Sequence, residues 1–360
     1  MLGEAILTAK VSKTRKWLRR LKWTFLGLFG IIVVGVAALL TFKPWLSEKA
    51  VVAPLAGGEK IERSDIVGNF YPAIGKSSGA VLVIGGSDGG ISATADNIAK
   101  ALSEAGFDAL AASYWGAPGQ PLEMKALPLE SFDASIDFLK KKSKGGQRVA
   151  ILGYSKGAEA ALLLAARRSD LAGIVAGAPT NVSWQALDFI GAFVGGTSTF
   201  SYEGKALPYL PYSGIDFFDG PTVFEIHDIS LRRVANHPSA AIEIEKSQAP
   251  VLLLCGSKDL IWPACDMAKS LVQRAADKGA KQPRLLSYPK AGHGVLGPPP
   301  GGLLREDPLV TRLTRTAKAD AEARVDAWPQ VIAFLRDSFG TTSAKDSGNS
   351  SSAGQLRKPR

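Results

Sequence analysis

The segment that most constrains the fold is Gly153-Tyr154-Ser155-Lys156-Gly157, set between the apolar run Val149-Ala150-Ile151-Leu152 and the run Ala158-Glu159-Ala160-Ala161-Leu162-Leu163-Leu164. The first run reads as a buried strand and the second as a helix, so the chain has to reverse direction within one or two residues. A turn that tight holds the serine in an unfavourable backbone conformation and crowds its neighbours, which is why glycine stands two residues before it and two after. The serine hydroxyl is pushed into the open. At the N-terminus of the helix, the Lys156 N–H and the positive end of the helix dipole lie where an oxyanion would form. Small residues also gather at strand-to-helix turns for packing alone. The motif therefore takes its meaning from an acid and a histidine following it in that chain order.

On both sides of the turn, apolar runs alternate with amphipathic stretches. The patterns predict strands at 80–85, 107–112, 148–153, 173–176, 251–256 and 284–288, and helices at 92–105, 129–142, 156–168, 263–278 and 319–338. Near-continuous apolar strands separated by helices predict an α/β fold, a mostly parallel central sheet covered by helices on both faces. One interval, 180–250, breaks the alternation and is rich in aromatics, among them Trp184, Phe189, Phe193, Tyr212, Phe217 and Phe218. It reads as an insertion capping the site, with a surface excursion that packs its own aromatics as the alternative.

The net charge of +10 is concentrated at the two ends: residues 1–22 carry +6 and residues 340–360 carry +3, leaving +1 between them. No basic and aromatic stripe runs through the middle, so nucleic acid is not an expected partner. Residues 23–42 hold no charge, and about 20 residues at ~1.5 Å rise span a hydrocarbon core of ~30 Å. Arg15, Lys16, Arg19, Arg20 and Lys22 precede this run, so the positive-inside rule leaves the N-terminus in the cytoplasm and sends the rest to the periplasmic or extracellular side. Trp23 and Trp45 fall where interfacial aromatics are expected. A cleaved signal peptide has a shorter apolar core followed by a small-x-small site, which is missing here, so the run reads as an uncleaved anchor. The expected organisation is a basic cytoplasmic segment (1–22), a transmembrane anchor (23–42), a linker with short strands (43–75), a catalytic domain (76–339) and a disordered tail (340–360).

Histidine is scarce, with only His227, His237 and His293. A base that follows the acid near the C-terminus has to be His293, in Lys290-Ala291-Gly292-His293-Gly294, where flanking glycines would let the imidazole project; His227 and His237 read as structural. Val251-Leu252-Leu253-Leu254-Cys255-Gly256-Ser257-Lys258-Asp259 is a buried strand and a turn ending in Asp259, which could accept the imidazole N–H and fix its tautomer. Asp266 is explained by the helix dipole. Val81-Leu82-Val83-Ile84-Gly85-Gly86-Ser87-Asp88-Gly89-Gly90 supplies a glycine-rich turn in which Gly86 or Ser87 would give a second oxyanion donor beside Lys156. This turn has neither the Lys-Ser/Thr of a P-loop nor the dinucleotide spacing, and Asp88 reads as a cap for the next helix. Cys255 and Cys265 read as small buried side chains; a disulfide between them stays open, and no metal or other cofactor is expected.

Five separated segments carry a resemblance: Ile84-Gly85-Gly86-Ser87-Asp88-Gly89-Gly90, Gly153-Tyr154-Ser155-Lys156-Gly157-Ala158-Glu159, Tyr202-Glu203-Gly204-Lys205-Ala206-Leu207-Pro208, Cys255-Gly256-Ser257-Lys258-Asp259 with Trp262, and Ala291-Gly292-His293. Over residues 77–339 the chain resembles the C-terminal domain of acyl-CoA thioesterases and bile acid-CoA:amino acid N-acyltransferases. The resemblance implies an α/β-hydrolase fold, a triad of Ser155, Asp259 and His293, and action on acyl thioesters or esters through an acyl-enzyme. The acyltransferase branch uses a cysteine nucleophile, so Ser155 resembles the thioesterase branch, with water as acceptor. Animal members carry an N-terminal β-sandwich, which the roughly thirty residues between the apolar run and the catalytic core cannot form. The expected function is a membrane-anchored serine hydrolase. An acyltransferase to an amine or alcohol, and a non-catalytic anchored binding protein, are the alternatives.

Overall fold

The computed structural model describes residues 2–43, 46–143, 148–187, 191, 195–214, 222–301 and 316–349, with side chains described between residues 17 and 340. It divides into two units, Met1–Ser47 and Glu48–Arg360. The first is one helix, α1 (Leu2–Phe42), so the basic segment and the apolar run are continuous in the backbone. Its stretch Trp17–Phe42, 26 residues at mean hydropathy 2.6, is long and apolar enough to cross a membrane. Trp23, Phe25, Ile31 and Val34 are all exposed, as suits a helix that is apolar all round. Trp45 lies outside the described residues.

The second unit carries β1 (Glu59–Glu62), β2 (Val67–Tyr71), β3 (Ala80–Ile84), α2 (Ala93–Glu104), β4 (Asp108–Ser113), β5 (Leu127–Pro128), α3 (Asp133–Lys142), β6 (Val149–Tyr154), α4 (Lys156–Ala165) and β7 (Leu171–Gly177). These are followed by β8 (Phe200–Tyr202), β9 (Lys205–Ala206), α5 (Val223–Leu231), β10 (Val251–Gly256), α6 (Ala264–Asp277), β11 (Arg284–Tyr288) and α7 (Ala317–Asn349). Eight strands form one sheet in the order β1-β2-β4-β3-β6-β7-β10-β11. The six strands from β4 to β11 are parallel; β2 joins β4, and β1 joins β2, antiparallel.

Strand side chains alternate between two cores. Leu82, Ile84, Val149 and Ile151 pack with α3, α4 and α6, whereas Val81, Val83, Ala150 and Leu152 pack with α2 and α7. Burial on both faces is what makes the central strands almost wholly apolar.

Within residues 43–75, read from the sequence as a linker with short strands, the second unit begins at Glu48 and carries both antiparallel strands. β1, at the sheet edge, exposes every residue but Ile61 and so lacks an apolar signature. The cap of α2 is Ser92, whose hydroxyl accepts from the Ala95 N–H at 3.3 Å, while Asp88 sits in the preceding turn. Finally, α7 runs to Asn349, past residue 340 where composition predicts a disordered tail. Extending a formed helix costs far less than nucleating one. Residues 350–360 lie outside the described residues.

Candidate active site

The candidate site lies at the carboxyl ends of β3, β6, β10 and β11, where parallel sheets of this kind leave a crevice. Ser155, between β6 and α4, has φ 56° and ψ −119°. A non-glycine residue held in such a region costs on the order of 1–3 kcal/mol and persists only where its surroundings over-determine it. Here they do. The Ser155 N–H donates to Gly177 O at 2.9 Å, and its carbonyl accepts from the Ala158 N–H at 2.9 Å. A Cβ at Gly153 would overlap the Gly157 carbonyl, and one at Gly157 would overlap the carbonyls of Ile84 and Gly85. Both glycines are therefore required by backbone packed on backbone.

Ser155 Oγ is 2.9 Å from His293 Nε2, and His293 Nδ1 is 2.7 Å from Asp259 Oδ2. The other Asp259 oxygen accepts from the N–H groups of Ile261 at 2.8 Å and Trp262 at 3.3 Å, so both oxygens are fixed. All three side chains are buried. The acid and histidine loops meet backbone to backbone: a Cβ at Gly256 would overlap the carbonyls of Ala291 and Gly292, and the Lys258 N–H donates to Ala291 O at 2.8 Å. A disulfide joins Cys255, at the end of β10, to Cys265, in the first turn of α6, and so closes the loop that carries Asp259.

The glycines beside His293 serve a different end from the one expected. A Cβ on Gly292 would overlap Thr316 Oγ1, and one on Gly294 would lie 2.8 Å from Asp320 Oδ2. They make room for a clamp. The Asp320 carboxylate, on α7 and 2% exposed, accepts from the Gly292 N–H at 2.5 Å, the Gly294 N–H at 3.3 Å and the Thr316 hydroxyl at 3.1 Å. The imidazole is bounded edge-on by the rings of Tyr154 at 5.2 Å and Trp262 at 5.8 Å. Burial, with the charges of Asp259, Asp88 and Asp320, pushes the Tyr154 hydroxyl well above the usual tyrosine range, so it stays protonated.

Of the residues expected to donate to an oxyanion, Lys156 opens α4 and Gly86 and Ser87 follow β3. A Cβ on Gly86 would be 3.3 Å from Ser155 Cβ, so that loop lies against the elbow. The Lys156 side chain turns away into the core, its ammonium 2.8 Å from Glu159 Oε2 and 3.0 Å from Thr199 Oγ1. Glu159 Oε1 accepts from the Trp184 N–H at 2.9 Å. The pair thus ties the elbow to the 180–250 insertion.

Within that insertion β8 pairs with β5 and β9 in a small second sheet. Trp184 stacks on Tyr212 at 5.6 Å and on Trp262 at 6.4 Å, and His227 stands edge-on to all three rings. The aromatics therefore pack against the acid loop. Phe189, Phe193, Phe217 and Phe218 lie outside the described residues. His227 donates from Nδ1 to Val223 O at 2.7 Å, and burial pushes its pKa down to about 4.

Sequence reasoning did not find Asp320, Thr316 or Glu159. Asp320 looks like any charged residue of an amphipathic helix; a buried carboxylate is betrayed only by the fold.

Residues 127–341 match the family described as BAAT / Acyl-CoA thioester hydrolase C terminal. The chain is 29% identical over 256 residues to human acyl-coenzyme A thioesterase 1, covering 67% of this chain and 56% of the relative. It is 25% identical over 256 residues, with the same two coverages, to the peroxisomal succinyl-coenzyme A thioesterase of Mus musculus. The chain thus spans little more than half the length of these relatives. Among solved structures, one from Klebsiella pneumoniae assigned as a dienelactone hydrolase superposes with TM-score 0.50 at 16% identity, covering 79% of this chain and 99% of the other. A puromycin-hydrolyzing peptidase of Mycobacterium tuberculosis gives TM-score 0.51 at 15% identity, covering 80% of this chain and 40% of the other. At these identities the likeness concerns the fold, which is that of the α/β-hydrolases.

Proposed function

Because the chain belongs to the BAAT / acyl-CoA thioester hydrolase C-terminal family, we propose that it is a serine hydrolase cleaving acyl thioesters or carboxylic esters through an acyl-enzyme. The observation that carries this reading is the continuous line from Ser155 Oγ through His293 to Asp259, at 2.9 and 2.7 Å. His293 Nε2 takes the hydroxyl proton as Ser155 attacks the carbonyl, then returns it to the leaving thiol or alcohol. Asp259 holds the Nδ1–H tautomer and stabilises the imidazolium. The Lys156 amide and an amide of Gly86 or Ser87 face the tetrahedral oxygen. Water then repeats the cycle and releases the acid. A serine at this position, where the acyltransferase branch has cysteine, favours water as the acceptor.

We place α1 as an anchor, N-terminus cytoplasmic and catalytic unit outside. Support comes from the basic residues ahead of the apolar run and from the Cys255–Cys265 disulfide, since such bonds persist in oxidising compartments. A catalytic unit on that side meets exported esters, lipids or other acyl compounds more readily than cytoplasmic coenzyme A thioesters. A hydrolysis screen over short and long p-nitrophenyl esters and acyl-CoAs tests the activity, and the absence of turnover on all of them contradicts it. A phosphatase reporter fused after residue 340 tests orientation: activity on the outer side supports it, and silence opposes it.

A further inference from the structure

Tyr114, the residue after β4, is buried, and its ring lies 5.5 Å from that of Phe132 and 6.1 Å from that of Phe200. Its hydroxyl donates to the Gly86 carbonyl at 2.9 Å and lies 3.4 Å from the carbonyl of Gly85. Both carbonyls belong to the loop that approaches Ser155, where a Cβ on Gly86 would be 3.3 Å from Ser155 Cβ. A trans peptide is planar, with its N–H directed opposite to its C=O, and no cis bond occurs among the described residues. One hydroxyl that gathers the Gly85 and Gly86 carbonyls therefore turns the N–H groups of Gly86 and Ser87 to the opposite side. The shorter bond fixes the Gly86–Ser87 plane, whose N–H is that of Ser87.

We infer that Tyr114 is a positioning residue that locks the Gly86–Ser87 peptide so that the Ser87 N–H, paired with the Lys156 N–H, receives the oxyanion. The inference rests on the serine hydrolase reading above and sharpens it, selecting Ser87 over Gly86 as the donor set by the stronger bond. Glycine at 86 fits this role, because any side chain would press on Ser155. Burial, with the charges of Asp88 and Glu159, holds the Tyr114 hydroxyl well above the usual tyrosine range, so it remains a donor throughout the working pH range. Preorganisation of this kind acts only when charge develops on the substrate oxygen, so it raises kcat and leaves ground-state binding alone.

The test is Tyr114→Phe in the full chain, which keeps the ring and removes the hydroxyl. Removing an oxyanion donor outright lowers kcat by roughly 100- to 1000-fold; misaiming one should lower it by on the order of 10- to 100-fold, with KM unchanged. Affinity for a trifluoromethyl ketone, which binds as a tetrahedral oxyanion, should fall by the same factor. Phe132→Leu loosens the same aromatic packing and keeps the hydroxyl, so it should lower thermal stability and leave kcat intact. Turnover by Tyr114→Phe at the wild-type rate overturns the inference and leaves the triad reading standing. A kcat loss without a matching loss of ketone affinity, or an equal kcat loss in Phe132→Leu, also overturns it. If the wild-type chain neither hydrolyses esters nor reacts at Ser155, the triad reading fails and takes this inference with it.

Discussion

The Lys156–Glu159 pair is the most stringent energetic test of how the elbow is held. Its side chains are 2% and 0% exposed and 2.8 Å apart. Burial pushes the Lys156 ammonium below the usual lysine range and the Glu159 carboxyl above the usual carboxylate range, while each partner's charge pulls the other back. The ammonium also reaches Thr199, and the carboxylate accepts from the Trp184 N–H. Lys156→Met removes one partner and leaves a buried carboxylate with a single charged neighbour gone, a change that costs about 3–5 kcal/mol. Adding Glu159→Gln removes the stranded charge while its amide oxygen still accepts from Trp184. The double variant should therefore recover about 2 kcal/mol relative to Lys156→Met alone. Urea unfolding of the full chain, followed by tryptophan fluorescence, gives both differences and hence the coupling. A loss below about 1 kcal/mol in Lys156→Met, or single effects that simply add, would refute the reasoning.

Two further outcomes follow from the same side chains. His227 titrates at about 4 in the folded chain because it is buried, against an ordinary value of about 6.5. The unfolded chain takes up this proton first on acidification, so stability falls as pH drops from about 6.5 towards 4, by about 3 kcal/mol in full. Thermal midpoints across that window should show the slope in the wild type and lose it in His227→Phe. A slope unchanged by the substitution means that the proton belongs elsewhere. Asp320→Asn keeps one acceptor oxygen for Gly292 and cannot serve Gly294 and Thr316 as the carboxylate does. It should cost about 1.5–3 kcal/mol in denaturant unfolding and lower kcat more than it raises KM, because it loosens the His293 loop. Wild-type kcat in that variant contradicts the clamp.

The parts of this site that were legible in the sequence are those whose constraints are local. Ser155 announces itself because a strand, a glycine-flanked turn and a helix follow one another within a few residues. Asp259 and His293 follow because each lies in the loop just beyond a recognisable strand and so few histidines compete. Asp320 and Tyr114 bond to backbone atoms far along the chain, and nothing in their own neighbourhoods marks them. The disulfide had the same character: ten residues separate Cys255 from Cys265, and only the placement of β10 beside α6 brings the sulfurs together. The bounds of β1 are not legible in the sequence because an edge strand that exposes all but Ile61 carries no period-two signal.

The central claim, that Ser155 is a nucleophile activated by His293, is tested most directly by mapping the adduct of a fluorophosphonate probe. The wild-type chain should take up one probe, on Ser155, and Ser155→Ala should take up none while keeping its unfolding midpoint. His293→Ala should react at least roughly 100-fold more slowly, the loss expected when a general base is removed. An adduct on another residue, or labelling of Ser155→Ala at the wild-type rate, contradicts the account.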